Sequence, residues 1–257
     1  MPPERHVAIQ APYAPTIELP PPFRLVKLRE AGDTVAYARE HALELGAGTL
    51  VSVGRFDVAE FAVVIEPEEP HVSPWRVLYA GMVALARAMA AIAPPHKPIV
   101  IEWPDAIRVD GGLVGGGRLV APDDADAAVP PAWLVFGAVI RLASPPDNEA
   151  AAAPRAGARE HTALEDEGFG EAGDANRLVE AFARHLMRVS DRWLSDGFAA
   201  VAGEYLSHLA PENGVRRDIG EDGDLLVRRP GRRTERHGLG QRLTNPSWLG
   251  LHDGELR

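Results

Sequence analysis

The segment that most constrains the fold is residues 99–119, which combine a β-branched run, a Trp-Pro step and three consecutive glycines. Residues 99–101 read Ile-Val-Ile, and a short, wholly apolar run of this kind predicts a central strand. Trp103 and Pro104 follow, and they predict the end of that strand because proline has no N–H to donate to a neighbouring strand. The segment therefore predicts a sheet with this strand in its interior.

A β-hairpin is predicted directly after the Trp-Pro step. Apolar runs flank the Asp-Gly-Gly sequence at residues 110–112, which favours a tight turn. The returning strand carries Gly115, Gly116 and Gly117 in its interior. Glycine weakens a strand, so three in a row indicate either close approach of a ligand to the backbone or a β-bulge with tight packing. The sequence leaves both interpretations open.

The rest of the chain alternates between strand-like and helix-like patterns. β-branched and aromatic runs predict strands, whereas apolar residues at helical spacing, bounded by capping residues, glycine or proline, predict helices. The predicted strands are residues 23–28, 49–53, 61–66 and 133–142, and the predicted helices are residues 34–45, 75–93, 175–196 and 198–209. The fold class that follows is α/β (α+β).

The chain length predicts one main domain with an addition at each end. The proline-rich residues 1–22 predict an extended N-terminal arm. Residues 23–210 predict the main domain, which contains a flexible, alanine-rich linker at residues 144–160. Residues 211–257 predict a small, β-rich C-terminal appendage.

Composition excludes several classes of function. The chain has no cysteine, which rules out disulfides and a thiol nucleophile. Its net charge of −10 disfavours nucleic acid as a partner, because phosphate binding needs a basic surface. No apolar run reaches about 18 residues, and the first residues lack the apolar stretch of a signal peptide. We therefore expect a cytoplasmic protein without a membrane partner.

The sequence of residues 103–119 resembles a pattern of the biotin protein ligases and their lipoate ligase relatives, W-P-N-D, apolar residues, D-G, K and V-A-G-I-L. The similarity extends over residues 23–142 and is greatest to an uncharacterised branch, the biotin/lipoate A/B protein ligase-like proteins. Residues 133–140 are similar to the family strand V-x-I-G-x-G-I-N. The resemblance implies the catalytic-domain fold of these ligases, a mixed sheet flanked by helices.

The resemblance also implies a set of ligand-binding residues. Asp33 and Thr34 stand where the family has the S-T-N residues that line the acyl pocket. Gly54 and Arg55 stand at the end of the family's glycine-arginine loop, which folds over the adenylate. Gly137 stands where the backbone of a glycine approaches the head group of the ligand.

Two residues are candidates for catalysis. Asp105 stands where the family has asparagine, Ala106 where it has aspartate, and Leu113 where it has the catalytic lysine. Arg118 is the candidate replacement for the lysine cation, provided that a glycine bulge turns it to the same face as Leu113. Trp103 matches the family directly and joins the three glycines as a candidate ligand contact.

Three functions remain open, and with them the question of whether the chain is an enzyme. The resemblance implies a ligase that uses ATP and Mg²⁺ to activate biotin, lipoate or another medium-chain carboxylic acid and passes it to a lysine of a biotinyl or lipoyl carrier domain. Leucine at the lysine position favours instead a non-catalytic module that binds the acid without adenylation. The third interpretation is a module that holds another protein through the former carrier-docking surface.

Overall fold

The computed structural model describes residues 17–29, 32–67, 74–123, 129–144, 161–243, 246 and 248–249. The strands are β1 Arg24–Leu28, β2 Thr49–Val53, β3 Val58–Ile65, β4 Ile99–Glu102, β5 Ala106–Val109, β6 Gly112–Val120, β7 Leu134–Arg141, β8 Arg216–Ile219, β9 Leu225–Arg228 and β10 Glu235–His237. The helices are α1 Thr34–Glu40, α2 Ala42–Leu45, α3 Val77–Ile92, α4 Ala175–Asp196, α5 Phe198–Ser207 and α6 Leu239–Leu243. Most of residues 1–22 and of residues 144–160, the predicted arm and linker, lie outside the described residues.

Seven strands form a mixed sheet in the order β1-β2-β3-β7-β6-β5-β4. β1 pairs with β2 in parallel, and the other neighbouring strands of this sheet pair antiparallel. The longest register joins β3 to β7, from Val58 opposite Arg141 to Ile65 opposite Leu134. The mixed sheet flanked by helices confirms the predicted fold class.

The two faces of this sheet carry different helices. The main core packs α3 and α4 on one face, where Phe61 of β3 and Phe136 of β7 both contact the ring of Phe182 in α4. A smaller apolar cluster packs α1 on the other face, where Val35 and Ala38 lie against the sheet. We call this second surface the α1 face. Asp33, Thr34 and Gly137 are among the predicted ligand-binding residues that it holds.

The prediction of a central strand at residues 99–101 is wrong, because β4 lies at the edge of the sheet. Its apolar character has a different cause. The N–H of Ile101 donates to the carbonyl of His208, 2.9 Å away, so the segment after α5 covers the edge. Ile101 is thereby buried, while Glu102 is exposed. An apolar run of three residues is too short to show whether a strand lies between two other strands or lies at an edge that a helix end covers.

The C-terminal residues form a three-stranded antiparallel sheet in the order β10-β9-β8. Ile219, Leu225 and Val227 of this sheet and Leu239 of α6 belong to the main core cluster. The β-rich appendage that the sequence predicted is therefore packed on the main core. The domain boundary at residue 210 stays a prediction.

One segment of the described chain, Pro74–Ile92, is long and apolar enough to cross a membrane by length and composition. Most of it, 67%, is buried inside the structure. Leu78, Met82 and Leu85 of α3 are fully buried in the main core. We therefore interpret the segment as a core helix, whereas the cytoplasmic location stays a prediction.

Candidate functional site

A β-bulge in β6 determines which side chains reach the α1 face. Ile107 pairs with Gly115 but Arg108 pairs with Leu113, so Val114 is an extra residue in β6. An extra residue reverses the alternation of side chains. Leu113 consequently packs on the α1 face together with Gly116, and Arg118 extends onto the same face. The sequence required a bulge between Leu113 and Arg118 if both were to lie on one face, and the structure contains that bulge.

The three glycines of β6 have packing reasons. A Cβ at Gly115, whose φ is +141°, would overlap the carbonyl of Val139 in the neighbouring strand. A Cβ at Gly117 would lie 2.6 Å from Cζ of Phe136 and 2.7 Å from Sδ of Met82, closer than real contacts allow. The bulge and the tight packing therefore explain these two residues, and their role as ligand contacts stays a prediction.

Asp33 and Arg118 form an ion pair at the start of α1. Asp33 caps the helix, because its Oδ1 accepts from the N–H groups of Val35 at 2.9 Å and Ala36 at 3.0 Å. The same oxygen accepts from a terminal nitrogen of Arg118, 2.8 Å away. Burial raises the pKa of the Asp33 carboxyl, but the Ala36 N–H and the Arg118 charge outweigh burial and lower it. Asp33 therefore remains an anion near neutral pH.

Thr34 is held by a carboxylate that the sequence analysis missed. Its N–H and its hydroxyl both donate to Oε1 of Glu60, at 3.0 and 3.1 Å. Glu60 lies in β3 and pairs with Val139 of β7, which is two residues from Gly137 and therefore on the same face. A carboxylate inside an otherwise apolar strand was the signal that could have identified it. The start of α1 thus presents two carboxylates and one guanidinium on the α1 face.

Gly137 lies where α1 crosses the sheet. It pairs with Ala62 of β3 and with Arg118 of β6. A Cβ at this position would overlap the Val35 side chain and would lie 3.7 Å from Cγ of Arg118. Glycine here lets α1 approach β7 closely, so its packing role is clear and its contact with a ligand stays a prediction.

Trp248 covers the part of the α1 face next to Arg118. Its side chain is fully buried and packs with Leu113 and Ala106, and Val139 packs against this group. Its Nε1 donates to the carbonyl of Gly117 over 3.3 Å, and a Cβ at Gly116 would overlap the ring. Sequence analysis could not find this contact, because 131 residues separate the two partners.

Trp103 contacts α3, whereas the carbonyl of Asp105 reaches β6, where it accepts from the N–H of Gly117 over 2.8 Å. The Nε1 of Trp103 donates to the hydroxyl of Tyr79 in α3 over 3.2 Å. Asp105 is 2% exposed, and its charge acts on Tyr205 of α5, whose pKa is raised by burial first and by neighbouring groups including Asp105. Trp103 therefore lies towards the helices of the main core, and the catalytic role of Asp105 stays a prediction.

Gly54 and Arg55 lie at a different place again, at the turn between β2 and β3. They line a cavity of 820 Å³ beside the N-terminus of α4, together with Lys27 and Arg177. Arg55 is paired with Asp57 through two hydrogen bonds of 2.9 and 2.6 Å, and this pairing lowers the pKa of the Asp57 carboxyl. The predicted ligand contacts are thus distributed over this cavity, the α1 face and the main core.

The lysines do not replace the missing cation on the α1 face. Lys97 donates to Glu167 over 2.9 Å and to Asp110 over 3.3 Å. Lys27 lies beside Gly54, with its Cε 3.4 Å from where a Cβ of that glycine would be. Within the described ranges there is no group of three or more His, Asp or Glu side chains that could hold a metal ion. The fold brings Arg118 to the same face as Leu113, and its role as the replacement cation stays a prediction.

A sequence model of the biotin/lipoate A/B protein ligase family matches residues 19–207, which is more than two thirds of the chain. The match includes both sides of the candidate site, from Asp33 in α1 to Gly137 in β7. The curated proteins contain no match to this sequence.

Solved structures with the same fold include a biotin protein ligase-like protein of unknown function from Silicibacter sp. TM1040. It is 27% identical, with a TM-score of 0.74 over 89% of this chain and 99% of that one. The biotin protein ligase of Aquifex aeolicus is 14% identical, with a TM-score of 0.63 over 84% of this chain and 95% of that one. The same ligase in complex with biotin and ATP has a TM-score of 0.60 at 14% identity, over 82% and 94% of the two chains. At 14% identity this similarity concerns the fold.

Proposed function

Because the chain belongs to the biotin/lipoate A/B protein ligase family, we propose that it binds a small carboxylic acid on the α1 face, with Arg118 as the partner of the carboxylate. Biotin, lipoate and medium-chain fatty acids are the candidate ligands. The observation that carries the proposal is the bulge in β6, which turns Arg118 onto the face where the family lysine would stand.

The chemistry of Arg118 supports this role. One terminal nitrogen of its guanidinium donates to Asp33, while its buried Nε has no hydrogen-bond partner among the described residues. A guanidinium presents five donors in a planar arrangement that suits a carboxylate, and it stays charged at all physiological pH values. An incoming carboxylate would therefore find an anchored cation with donors still to satisfy.

Binding without adenylation is the activity that these residues favour. Leu113, at the position of the family lysine, is 8% exposed and packs against Trp248. A leucine cannot neutralise the charge that develops when a carboxylate attacks a phosphate. Leucine at this position therefore favours binding of the acid without its activation.

Isothermal titration of the protein with biotin, lipoate and octanoate tests the proposal. We expect one of these acids to bind, and we expect Arg118→Gln to weaken its binding by roughly tenfold or more, the worth of a hydrogen bond to a charged group. Arg39→Gln is the matched control, because Arg39 lies on α1 but pairs with the exposed Asp123. Failure of all three acids to bind, or equal weakening by both variants, would refute the proposal.

Acid activation is the second candidate function, since Arg118 and Leu113 share one face. In this alternative Arg118 neutralises the reacting carboxylate, and the activated acid passes to a lysine of a carrier domain. Pyrophosphate release from ATP in the presence of Mg²⁺ and each acid measures it. Release by the unmodified protein would favour the ligase, whereas release only by Leu113→Lys would favour a binding protein that has lost adenylation.

A further inference from the structure

The position of Trp248 relative to Arg118 suggests a closed form of the acid site. Gly116 and Arg118 are two residues apart in β6, so their side-chain positions lie on the same face, about 7 Å apart along the strand. The Trp248 ring occupies the space at Gly116. An acid with its carboxylate on Arg118 and its carbon chain along β6 would therefore need the space that the indole fills.

The surroundings of the indole resemble a binding pocket for an apolar chain. Ala106, Leu113 and Val139 provide apolar contacts, and the ring is fully buried. The Gly117 carbonyl accepts the single polar hydrogen of the ring over 3.3 Å. An apolar ligand that replaced the indole would make the same apolar contacts. Water would then donate to the Gly117 carbonyl in place of the indole N–H.

We propose that Trp248 is an autoinhibitory residue that occupies the chain-binding part of the acid site and must leave before a medium-chain acid binds. This inference rests on the proposed function, because it needs Arg118 to hold the carboxylate. A ligand that binds only the open form has its apparent dissociation constant raised by the reciprocal of the open fraction. Closure in nine molecules out of ten would thus weaken binding about tenfold.

The inference predicts that the effect of Trp248 depends on the length of the acid. Octanoate is long enough to extend from Arg118 past Gly116, whereas butyrate is too short to reach the ring. We expect Trp248→Ala to tighten octanoate binding about tenfold and to leave butyrate binding unchanged, as measured by isothermal titration. Trp133→Ala is the matched control, since it removes an indole that packs against the apolar cluster of Val35 and Ala38 and not at Gly116.

The outcomes separate the two proposals. Equal octanoate affinity in the unmodified protein and Trp248→Ala would overturn the autoinhibitory role and leave the acid site standing. Absence of acid binding by both proteins would overturn both proposals.

A measurement on the unmodified protein is independent of how well Trp248→Ala folds. The amide of Leu249 donates to the Pro246 carbonyl over 3.4 Å in the closed form. We expect octanoate, but not butyrate, to accelerate hydrogen exchange in the peptide that contains residues 248–249. Unchanged exchange at saturating octanoate would overturn the proposal.

Discussion

At the scale of single residues, the candidate site is built from positions where a side chain is missing as much as from those where one is present. Gly137 allows Val35 of α1 to lie against β7, which brings the start of the helix next to Arg118. The sequence indicated that Gly137, Asp33 and Arg118 matter. It could not indicate that they meet, because 85 residues separate Arg118 from Asp33 and nothing local encodes the distance.

Gly137→Ala should destabilise the fold by about 1–3 kcal/mol, because the added methyl group overpacks a dense interface. The loss should be measured by urea unfolding. Gly203→Ala is the control, since Gly203 lies in α5 and has open space where a Cβ would be. Alanine there should stabilise the helix by about 0.5–1 kcal/mol. Val35→Ala should recover part of the loss in the Gly137→Ala background. Strict additivity of these two substitutions would show that the contact with Val35 is not the cause.

At the scale of elements, the local patterns predicted most helices and strands but not every neighbour relation. The Asp-Gly-Gly turn was predictable because positive φ values, 49° at Asp110 and 85° at Gly111, suit these residue types. The edge position of β4 was not predictable, since what covers it comes from the end of α5. The sequence left a bulge in β6 open as one of two interpretations of the three glycines. The pairing of β6 with β5 shows that the bulge is present.

The cap of α1 gives a prediction about both stability and pH. Asp33→Ala should cost about 1 kcal/mol because two backbone N–H groups lose their acceptor, whereas Asp33→Asn should retain most of the cap. The pKa of Asp33 is lowered in the folded state, so its ionised form stabilises the fold above the ordinary carboxyl pKa. That contribution is lost as the pH falls through the lowered pKa, where the carboxylate takes up a proton.

Urea unfolding of the unmodified protein and of Asp33→Asn between pH 6 and pH 3 measures this contribution. The difference in free energy of unfolding between them should shrink as the pH falls. A difference that stays constant across this range would contradict the assignment to the Asp33 charge.

At the scale of the whole molecule, the C-terminal sheet is connected to the Trp-Pro step through the buried hydroxyl group of Tyr79. The Tyr79 hydroxyl donates to the Gly223 carbonyl over 2.5 Å and accepts from Nε1 of Trp103. Burial raises the pKa of Tyr79 well above its ordinary value, so the hydroxyl stays protonated. The sequence predicted an appendage but not this connection, because 144 residues separate Tyr79 from Gly223.

Tyr79→Phe should therefore destabilise the protein by about 1–3 kcal/mol, because it leaves a buried carbonyl and a partly buried indole N–H without their partner. Tyr37→Phe on α1, far from the C-terminal sheet, is the control. Since the C-terminal sheet shares the main core, we expect a single unfolding transition in urea by both fluorescence and circular dichroism. Two separate transitions would show instead that residues 211–257 unfold independently.

The central claim is that Arg118 holds the carboxylate of a small acid on the α1 face. The most direct measurement is a crystal structure of the protein with the tightest-binding acid of the titrations. The account predicts a carboxylate oxygen within about 3 Å of the Arg118 guanidinium, with the carbon chain running along β6 towards Gly116. An acid bound in the cavity beside Gly54 and Arg55, or one whose carboxylate points away from Arg118, would contradict it.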